Sequence, residues 1–311
     1  MDRNTFTGLF LIMLIIAGSV YFMKPTNVEL QKERDKQHID SLKKAGLPVP
    51  NPAAADTSIA AKPVDSAALK SAFGATLIGS ENLITVENKD IRLKLTTRGG
   101  RIYSVELKNF KTFDKKPLIL FDGDKNKFGF SFAAGNASIN TNERYFTPSA
   151  TSLNVVGQDS ASITMRLSYS PTQYIDYIYS LKGEGYKVGL TIKPVGLDNV
   201  IVNSGSINLD WESNLRRLEK SETLDKRYSY IGYFNTENSY DFFGDTKDDQ
   251  KEIADKKIQW VTFKQHFFSS VLLAKEGFTK SNLTVVTDTA DHADIKETKA
   301  SLQLAKSADG T

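Results

Sequence analysis

The sequence predicts a mainly β protein: a large antiparallel β-sandwich preceded by one N-terminal transmembrane helix. Three observations predict it. More than ten short runs after residue 82 alternate apolar and polar side chains with a period of two. Gly, Asn and Asp turn signals separate those runs. Asn4 to Met23 pass twenty positions without a charge.

The apolar run comes first in the chain. About 20 helical residues span about 30 Å, the thickness of a bilayer's hydrocarbon core. A transmembrane helix is therefore expected over residues 4–24. Two readings fit the run. A cleaved secretory signal would use Ala17-Gly18-Ser19 as its small-residue site. An uncleaved anchor fits better, because Asp2 offsets Arg3 and the apolar stretch continues through Val20-Tyr21-Phe22-Met23, with ring residues suited to a membrane interface. Orientation stays open at this point. Lys24, Lys32, Arg34 and Lys36 follow the run and only Arg3 and the amine precede it, but long domains are translocated regardless of flanking charge.

Residues 25–80 read as a charged tether and a Pro/Ala-rich linker. Val28 to Ala45 is rich in Lys, Glu, Asp and Gln without a sustained apolar stripe. Gly46 to Gly74 is broken by Pro48, Pro50, Pro52 and Pro63, and such a composition buries too little surface to offset the entropy of ordering.

Residues 81–311 read as the β domain. Ile91, Leu93 and Leu95 alternate with polar neighbours, as do Tyr103, Val105 and Leu107. Phe128, Phe130 and Phe132 follow, then Ile163, Met165, Leu167 and Tyr169. Ile175, Tyr177, Tyr179 and Leu181 form the next run, and Tyr186, Val188, Leu190 and Ile192 the one after. Period two means one buried and one wetted face. Arg98-Gly99-Gly100, Asp122-Gly123-Asp124 and Lys182-Gly183-Glu184-Gly185 are the turn signals. The 18 Phe and 12 Tyr suit strands. Many strands without amphipathic helices between them predict a sandwich.

Composition excludes several function classes. The 311 residues carry 40 basic and 37 acidic groups, a net charge of +3, which argues against a nucleic-acid binder. There is no cysteine, hence no disulfide, no thiolate metal site, no thiol nucleophile and no lipoprotein anchor.

Catalytic motifs are scarce. No nucleophile elbow, phosphate-binding glycine loop, dinucleotide fingerprint or His-Glu-x-x-His is present, and no cofactor is expected. His38 falls in the tether. His292 sits in Asp288-Thr-Ala-Asp291-His292-Ala-Asp294, a polar loop on the simpler reading and an oxygen-and-nitrogen metal site on the sharper one. His266 lies in Trp260-Val-Thr-Phe-Lys-Gln-His-Phe-Phe268, a strand-like aromatic run in which a packed, hydrogen-bonded side chain is the ordinary outcome. Tyr228 to Tyr233 and Tyr240 to Phe243 offer either strand-core aromatics or an aromatic surface for sugar or peptide.

Several of these features together resemble a known family, the YidC-type membrane protein insertases of Gram-negative bacteria. The anchor begins within a few residues of Met1, and a Pro/Ala tether follows it. Leu95-Thr96-Thr97-Arg98-Gly99-Gly100, followed by a strand, resembles the first hairpin of the family's periplasmic domain. Trp260-Val261, Gln265-His266 and Phe268 resemble that domain's "WV…QHYF" strand, with Phe267 in place of the expected Tyr. The Lys- and Asn-rich composition is similar to the Bacteroidota branch.

The resemblance implies a β-supersandwich like that of galactose mutarotases. It also implies residence in the bacterial inner membrane, single-pass in this chain, with a cytoplasmic N-terminus and a periplasmic main domain. Implied partners are the lipid bilayer, the Sec translocon with its accessory subunits, and nascent membrane proteins. The family's insertase activity resides in a C-terminal bundle of five membrane helices around a groove with an arginine. After Met23 this chain has no other apolar stretch of membrane-spanning length, so it reads as a fragment ending ahead of the last strands. No residue takes the groove arginine's role, and no catalytic, cofactor or metal site is carried over. Arg98, Gly99, Gly100, Trp260, Val261, Gln265, His266 and Phe268 are structural motif positions. The competing reading is a membrane-tethered, mutarotase-like carbohydrate binder with His266 as its acid or base.

Overall fold

A computed structural model describes residues 66–201, 206–288 and 292–305. The helix expected over 4–24, the tether up to residue 65 and His38 lie outside the described residues. Among the described residues no helix is long and apolar enough to cross a membrane.

Three sheets build the domain. The first holds β1 (Leu83–Glu87), β2 (Ile91–Thr96), β3 (Ile102–Lys111), β4 (Pro117–Asp122) and β8 (Ser152–Asn154), in the order β4-β3-β2-β1-β8. The second holds β7 (Thr147–Pro148), β9 (Ser160–Ser170), β10 (Gln173–Lys182) and β11 (Val188–Val195), in the order β11-β10-β9-β7. The third is nine-stranded. It contains β5 (Lys127–Ala134), β6 (Ala137–Asn140), β12 (Ser206–Arg216), β13 (Tyr230–Asn235), β14 (Tyr240–Phe243), β15 (Asp249–Ile253), β16 (Ile258–Lys264), β17 (Ser269–Thr287) and β18 (Asp294–Ala305). Its order is β14-β13-β16-β17-β18-β12-β5-β6, and β15 also pairs with β17. Among the described residues every strand pair is antiparallel except β1 with β8. Among the described residues the α-helices are short: α1 (Ser66–Leu69) and α2 (Glu222–Arg227).

The period-two runs become strands with one face buried. Ile91, Leu93 and Leu95 of β2, Ile163, Met165 and Leu167 of β9, and Ile175, Tyr177, Tyr179 and Leu181 of β10 all enter one continuous core. Fully burying each such side chain contributes about 1.5–3 kcal/mol. Rings join the sheets: Phe130 of β5 meets Tyr177 of β10 edge-on, centroids 5.7 Å apart. The Tyr179 hydroxyl crosses from β10 to donate to the Gly100 carbonyl at 2.8 Å.

Some runs depart from strict alternation. In β3, Ser104 is buried while Tyr103 and Val105 are only half-buried. Register shifts against both neighbours, at Lys94/Leu95 and Val105/Glu106, turn the strand there. Phe130 is core, whereas Phe128 and Phe132 pack at its margin. Tyr186 falls outside β11 and is exposed, and Val188, Leu190 and Ile192 stay half-buried because β11 is an edge strand. Packing also reaches upstream of residue 81, where Phe73 is buried against Phe132 and Tyr169.

The nine-stranded sheet is folded on itself by β17. Residues 269–273 of that long strand pair with β16, Phe278 pairs with both β16 and β18, and residues 280–287 pair with β18. Gly277 sits at the change-over with φ +73°, where an added Cβ would lie 3.1 Å from the Ile258 carbonyl oxygen. Two leaves result, one carrying β14, β13 and β16 and the other β18, β12, β5 and β6. Trp211 of β12 and Phe263 of β16 stack between them.

Candidate functional site

The turn at Arg98-Gly99-Gly100 joins β2 to β3, as its residues predict. Gly99 and Gly100 take φ +86° and +62°, the left-handed region that glycine enters without strain. A Cβ on Gly100 would come within 2.7 Å of the Phe146 ring. The Gly99 amide donates to the Arg144 carbonyl at 2.7 Å, while the Arg98 side chain is exposed. The turn is thus a close-packed corner.

The second motif is not one continuous strand. β16 ends at Lys264, and Gln265 to Phe268 make a tight turn into β17, closed by the Gln265 amide donating to the Phe268 carbonyl at 2.8 Å. Two facts break the strand. The Lys264 ammonium turns back onto the Gln265 and His266 carbonyls at 2.9 and 2.8 Å, and the buried Gln265 amide group donates to the Arg216 carbonyl at 3.1 Å. Val261 is core and Trp260 lies on the opposite face. Phe268 packs edge-on against Phe110 at 5.2 Å. The two motifs therefore occupy different sheets.

His266 is packed, stacked between Tyr228 at 4.7 Å and Phe267 at 4.1 Å. Its Nδ1 is buried and lacks a hydrogen-bond partner, which differs from the hydrogen-bonded histidine expected. His292 is exposed and meets Glu222 at 3.3 Å. Among the described residues no three His, Cys, Asp or Glu side chains group as metal ligands.

What the sequence left ambiguous is the face of the sheet opposite the core. Register places Tyr240, Phe234, Trp260 and Leu273 in one row across β14, β13, β16 and β17. Phe242, Gly232, Thr262 and Val271 form the next row, and Tyr230, Lys264 and Ser269 the third. The indole of Trp260 lies parallel to the Phe234 ring at 5.7 Å and meets Tyr240 at 5.8 Å. Gly232 lies beneath the Tyr240 side chain, where a Cβ would come within 2.7 Å of the Tyr240 hydroxyl. A depression of about 370 Å³ on this face is lined by Tyr230, Tyr240 and Trp260 with Thr262, Lys264, Ser269 and Val271. Burial, and then the bond from its own hydroxyl to that of Tyr230, push the Tyr240 phenol well above its ordinary pKa. Burial also lowers the Lys264 ammonium.

So the aromatics of residues 228–243 divide between both outcomes. Ile231, Tyr233 and Phe243 are core, whereas Tyr240 and Phe242 remain about half exposed beside Val271 and Leu273. Strand alternation carried this signal, since positions 230, 234, 260, 271 and 273 share a parity opposite to the core once the turn is placed. The face is a broad apolar platform with one ammonium at its edge, suited to binding rather than to bond-making.

Comparison with known families decides the ancestry. The family described as YidC periplasmic domain matches residues 83–311. The chain belongs to this family. Relatives named Membrane protein insertase YidC include one from Bacteroides fragilis, 31% identical over 289 residues, covering 91% of this chain and 45% of that protein. Another, from Phocaeicola vulgatus, is 33% identical over 289 residues and covers 91% of this chain and 44% of its own length. A third, from Amoebophilus asiaticus, is 26% identical and covers 98% of this chain and 50% of that protein. The chain thus spans about half the length of the curated relatives it matches.

Among solved structures, a galactose mutarotase-like protein from Lactobacillus casei aligns with a TM-score of 0.43 and 15% identity, covering 71% of this chain and 87% of that one. A putative aldose 1-epimerase from Escherichia coli aligns at 0.35 and 10%, covering 72% and 88%. The mainly β, layered architecture of this YidC periplasmic domain is evident from its own sheets. The sugar chemistry in those titles belongs to those proteins.

Proposed function

We propose that this chain is the membrane anchor and periplasmic domain of a membrane protein insertase of the inner membrane. It crosses the membrane once, near residues 4–24, with its N-terminus in the cytoplasm. Membership of the YidC periplasmic domain family over residues 83–311 carries this reading. Insertion moves polar flanks of a client through hydrocarbon and makes no covalent bond, so it asks this domain for surfaces rather than for an acid and a base. The chain is accordingly a scaffold and not an enzyme. His266, locked between two rings with no described acceptor for Nδ1, supports that assignment.

The platform of Tyr240, Phe242, Trp260, Val271 and Leu273 is the docking surface. Its partners are the accessory subunits of the Sec translocon, and nascent membrane proteins are handled by the rest of the insertase. A photocrosslinker at Leu273, in the chain expressed within its native membranes, tests this. Adducts with membrane-embedded translocation subunits support it. Adducts confined to soluble periplasmic proteins, or none at all, overturn it.

A further inference from the structure

The two strands that carry the outer part of the platform form one hairpin. β13 supplies Tyr230 and Phe234, and β14 supplies Tyr240 and Phe242. β13 is bonded on its other side to β16, but β14 is the outermost strand of the sheet and among the described residues pairs with β13 alone. Edge strands open readily, because half of their backbone groups already lack a strand partner. The base of this hairpin, where the chain enters at Ser229 and leaves at Gly244, decides whether β14 stays in line.

Lys296 is found at that base. It stands on the inner face of β18, opposite Leu215 of β12 and Thr287 of β17, and is 1% exposed. Its ammonium donates to the Ser229 carbonyl at 2.6 Å, to the Gly244 carbonyl, and to the Asp245 carbonyl at 3.1 Å. An ammonium has three donors, and these acceptors use them all. All three acceptors belong to the two ends of one hairpin: Ser229 directly precedes β13, and Gly244 and Asp245 directly follow β14. Both ends are also fixed from other sides. The Ser229 hydroxyl donates to the Asp225 carbonyl of α2 at 2.7 Å. Gly244 has φ +78° and lies so close on β17 that a Cβ would overlap Val285. An apolar side chain of similar length would fill this core position without the cost of burying a charge. It would, however, leave the carbonyls at the hairpin's base without a donor. The charge thus serves the hairpin and not the core.

We propose that Lys296 is the positioning residue of the platform: an internal ammonium latch that closes the base of the β13–β14 hairpin and so holds Tyr240 and Phe242 in line with Trp260 and Thr262. Its bearing on partner capture rests on the platform being the docking surface. The closing of the hairpin does not.

The test compares the full wild-type chain with Lys296→Met and Lys296→Gln. Amide hydrogen exchange is followed in lipid nanodiscs, and crosslinking yield from a photocrosslinker at Leu273 in native membranes. In Lys296→Met the amides of residues 230–243 should exchange about tenfold faster or more, as expected for losing a hydrogen bond to a charged group. Those of β9 and β10 should keep the wild-type rate. Lys296→Gln retains an N–H donor and should recover part of the protection, and crosslinking yield should follow hairpin protection across the three chains. The wild type supplies a check that needs no variant. Under amine acetylation, Lys296 should be modified as the hairpin opens and ahead of exchange in β9 and β10. Equal acceleration in every sheet, unchanged exchange at residues 230–243, or acetylation of Lys296 only on global unfolding overturns the latch. Local opening of the hairpin in Lys296→Met, with no partner captured even by the wild type, supports the latch and overturns the docking reading.

Discussion

Trp211 of β12 stacks face to face on Phe263 of β16, ring centroids 3.7 Å apart and 17° from parallel, although β17 and β18 lie between their strands in the sheet. The contact brings together strands that the sheet order separates, so the sheet is folded over along β17. The pair is the pin of that fold, and Phe263 is fully buried.

Phe263→Ala should therefore cost about 3–5 kcal/mol, the transfer term plus the cavity it leaves. Trp211→Phe should cost less, since it keeps a ring in the stack. Urea unfolding monitored by circular dichroism checks both. A loss for Phe263→Ala no larger than that of a surface substitution would mean that the leaves are held elsewhere.

Lys296 stands on the core side of β18, 1% exposed, between Ile295 and Thr298. Its ammonium donates to the carbonyls of Ser229 at 2.6 Å and Asp245 at 3.1 Å, and also to Gly244. Burial pushes its pKa down to about 8, against the pull of Asp245 and Asp248. In the unfolded chain a lysine titrates near 10.4. Between those values the unfolded state holds a proton that the folded state has released, so stability rises with pH across that window. Below about pH 8 both states are protonated and the burial cost of the charge is present in full. Lys296→Met should flatten the rise. The wild-type melting temperature should climb by roughly 2–4 °C for each kcal/mol gained between pH 8 and 10. The climb should then reverse above pH 10, because burial raises the phenols of Tyr177 and Tyr179 and the unfolded chain ionises first. A flat wild-type curve from pH 8 to 10 would contradict the lysine assignment.

The positions legible from sequence were those where local pattern and tertiary place agree. The β9–β10 hairpin and the glycine corners at Gly99, Gly123 and Gly185 needed only alternation and turn chemistry. The fold of β17 was not legible, because nothing local marks a strand that serves two partners in succession. β12 and β18 are hidden by polar residues on their inner faces: the Thr298 hydroxyl donates to the Ser213 carbonyl at 2.7 Å, and the Ser213 hydroxyl to Asn126 Oδ1 at 2.8 Å. Lys296 adds a charge to the same face. Aromatic neighbours favour a strand at His266, but β16 ends at Lys264, whose ammonium turns back onto the Gln265 and His266 carbonyls. The exposed platform was ambiguous for a different reason. An aromatic on a strand reads as core on either face until the sheet's inner side is known.

Gly100→Ala should be costly out of proportion to one methyl. The left-handed backbone alone costs about 1–2 kcal/mol for a residue with a Cβ, and the contact with Phe146 adds an overpacking term of about 1–3 kcal/mol. Gly135→Ala is the matched control. It shares a positive φ of +57° but has open space where its Cβ would go, so it should cost only the first part. Thermal melting of the two variants separates strain from clash, and equal losses would remove the packing role given to the Arg98-Gly99-Gly100 corner.

The platform gives the prediction that separates surface from core. Leu273 is 67% exposed, and its removal from water on folding is small. Leu273→Ser together with Phe242→Ser should leave the melting temperature within a few degrees, since exposed substitutions usually fall within about 0.5 kcal/mol. The same pair should weaken capture of the proposed translocation partner in native membranes, because both side chains stand on the exposed platform face, Phe242 in the row of Gly232 and Leu273 in the row of Trp260. Tyr233→Ala, one residue away but buried, should do the reverse: it loses the bond from its hydroxyl to Asp241 at 2.6 Å and a core ring, and destabilises the domain. Measuring stability and crosslinking yield on the same preparations distinguishes the two. If Leu273→Ser and Phe242→Ser leave the yield unchanged while the fold stays intact, the platform is not where the partner sits.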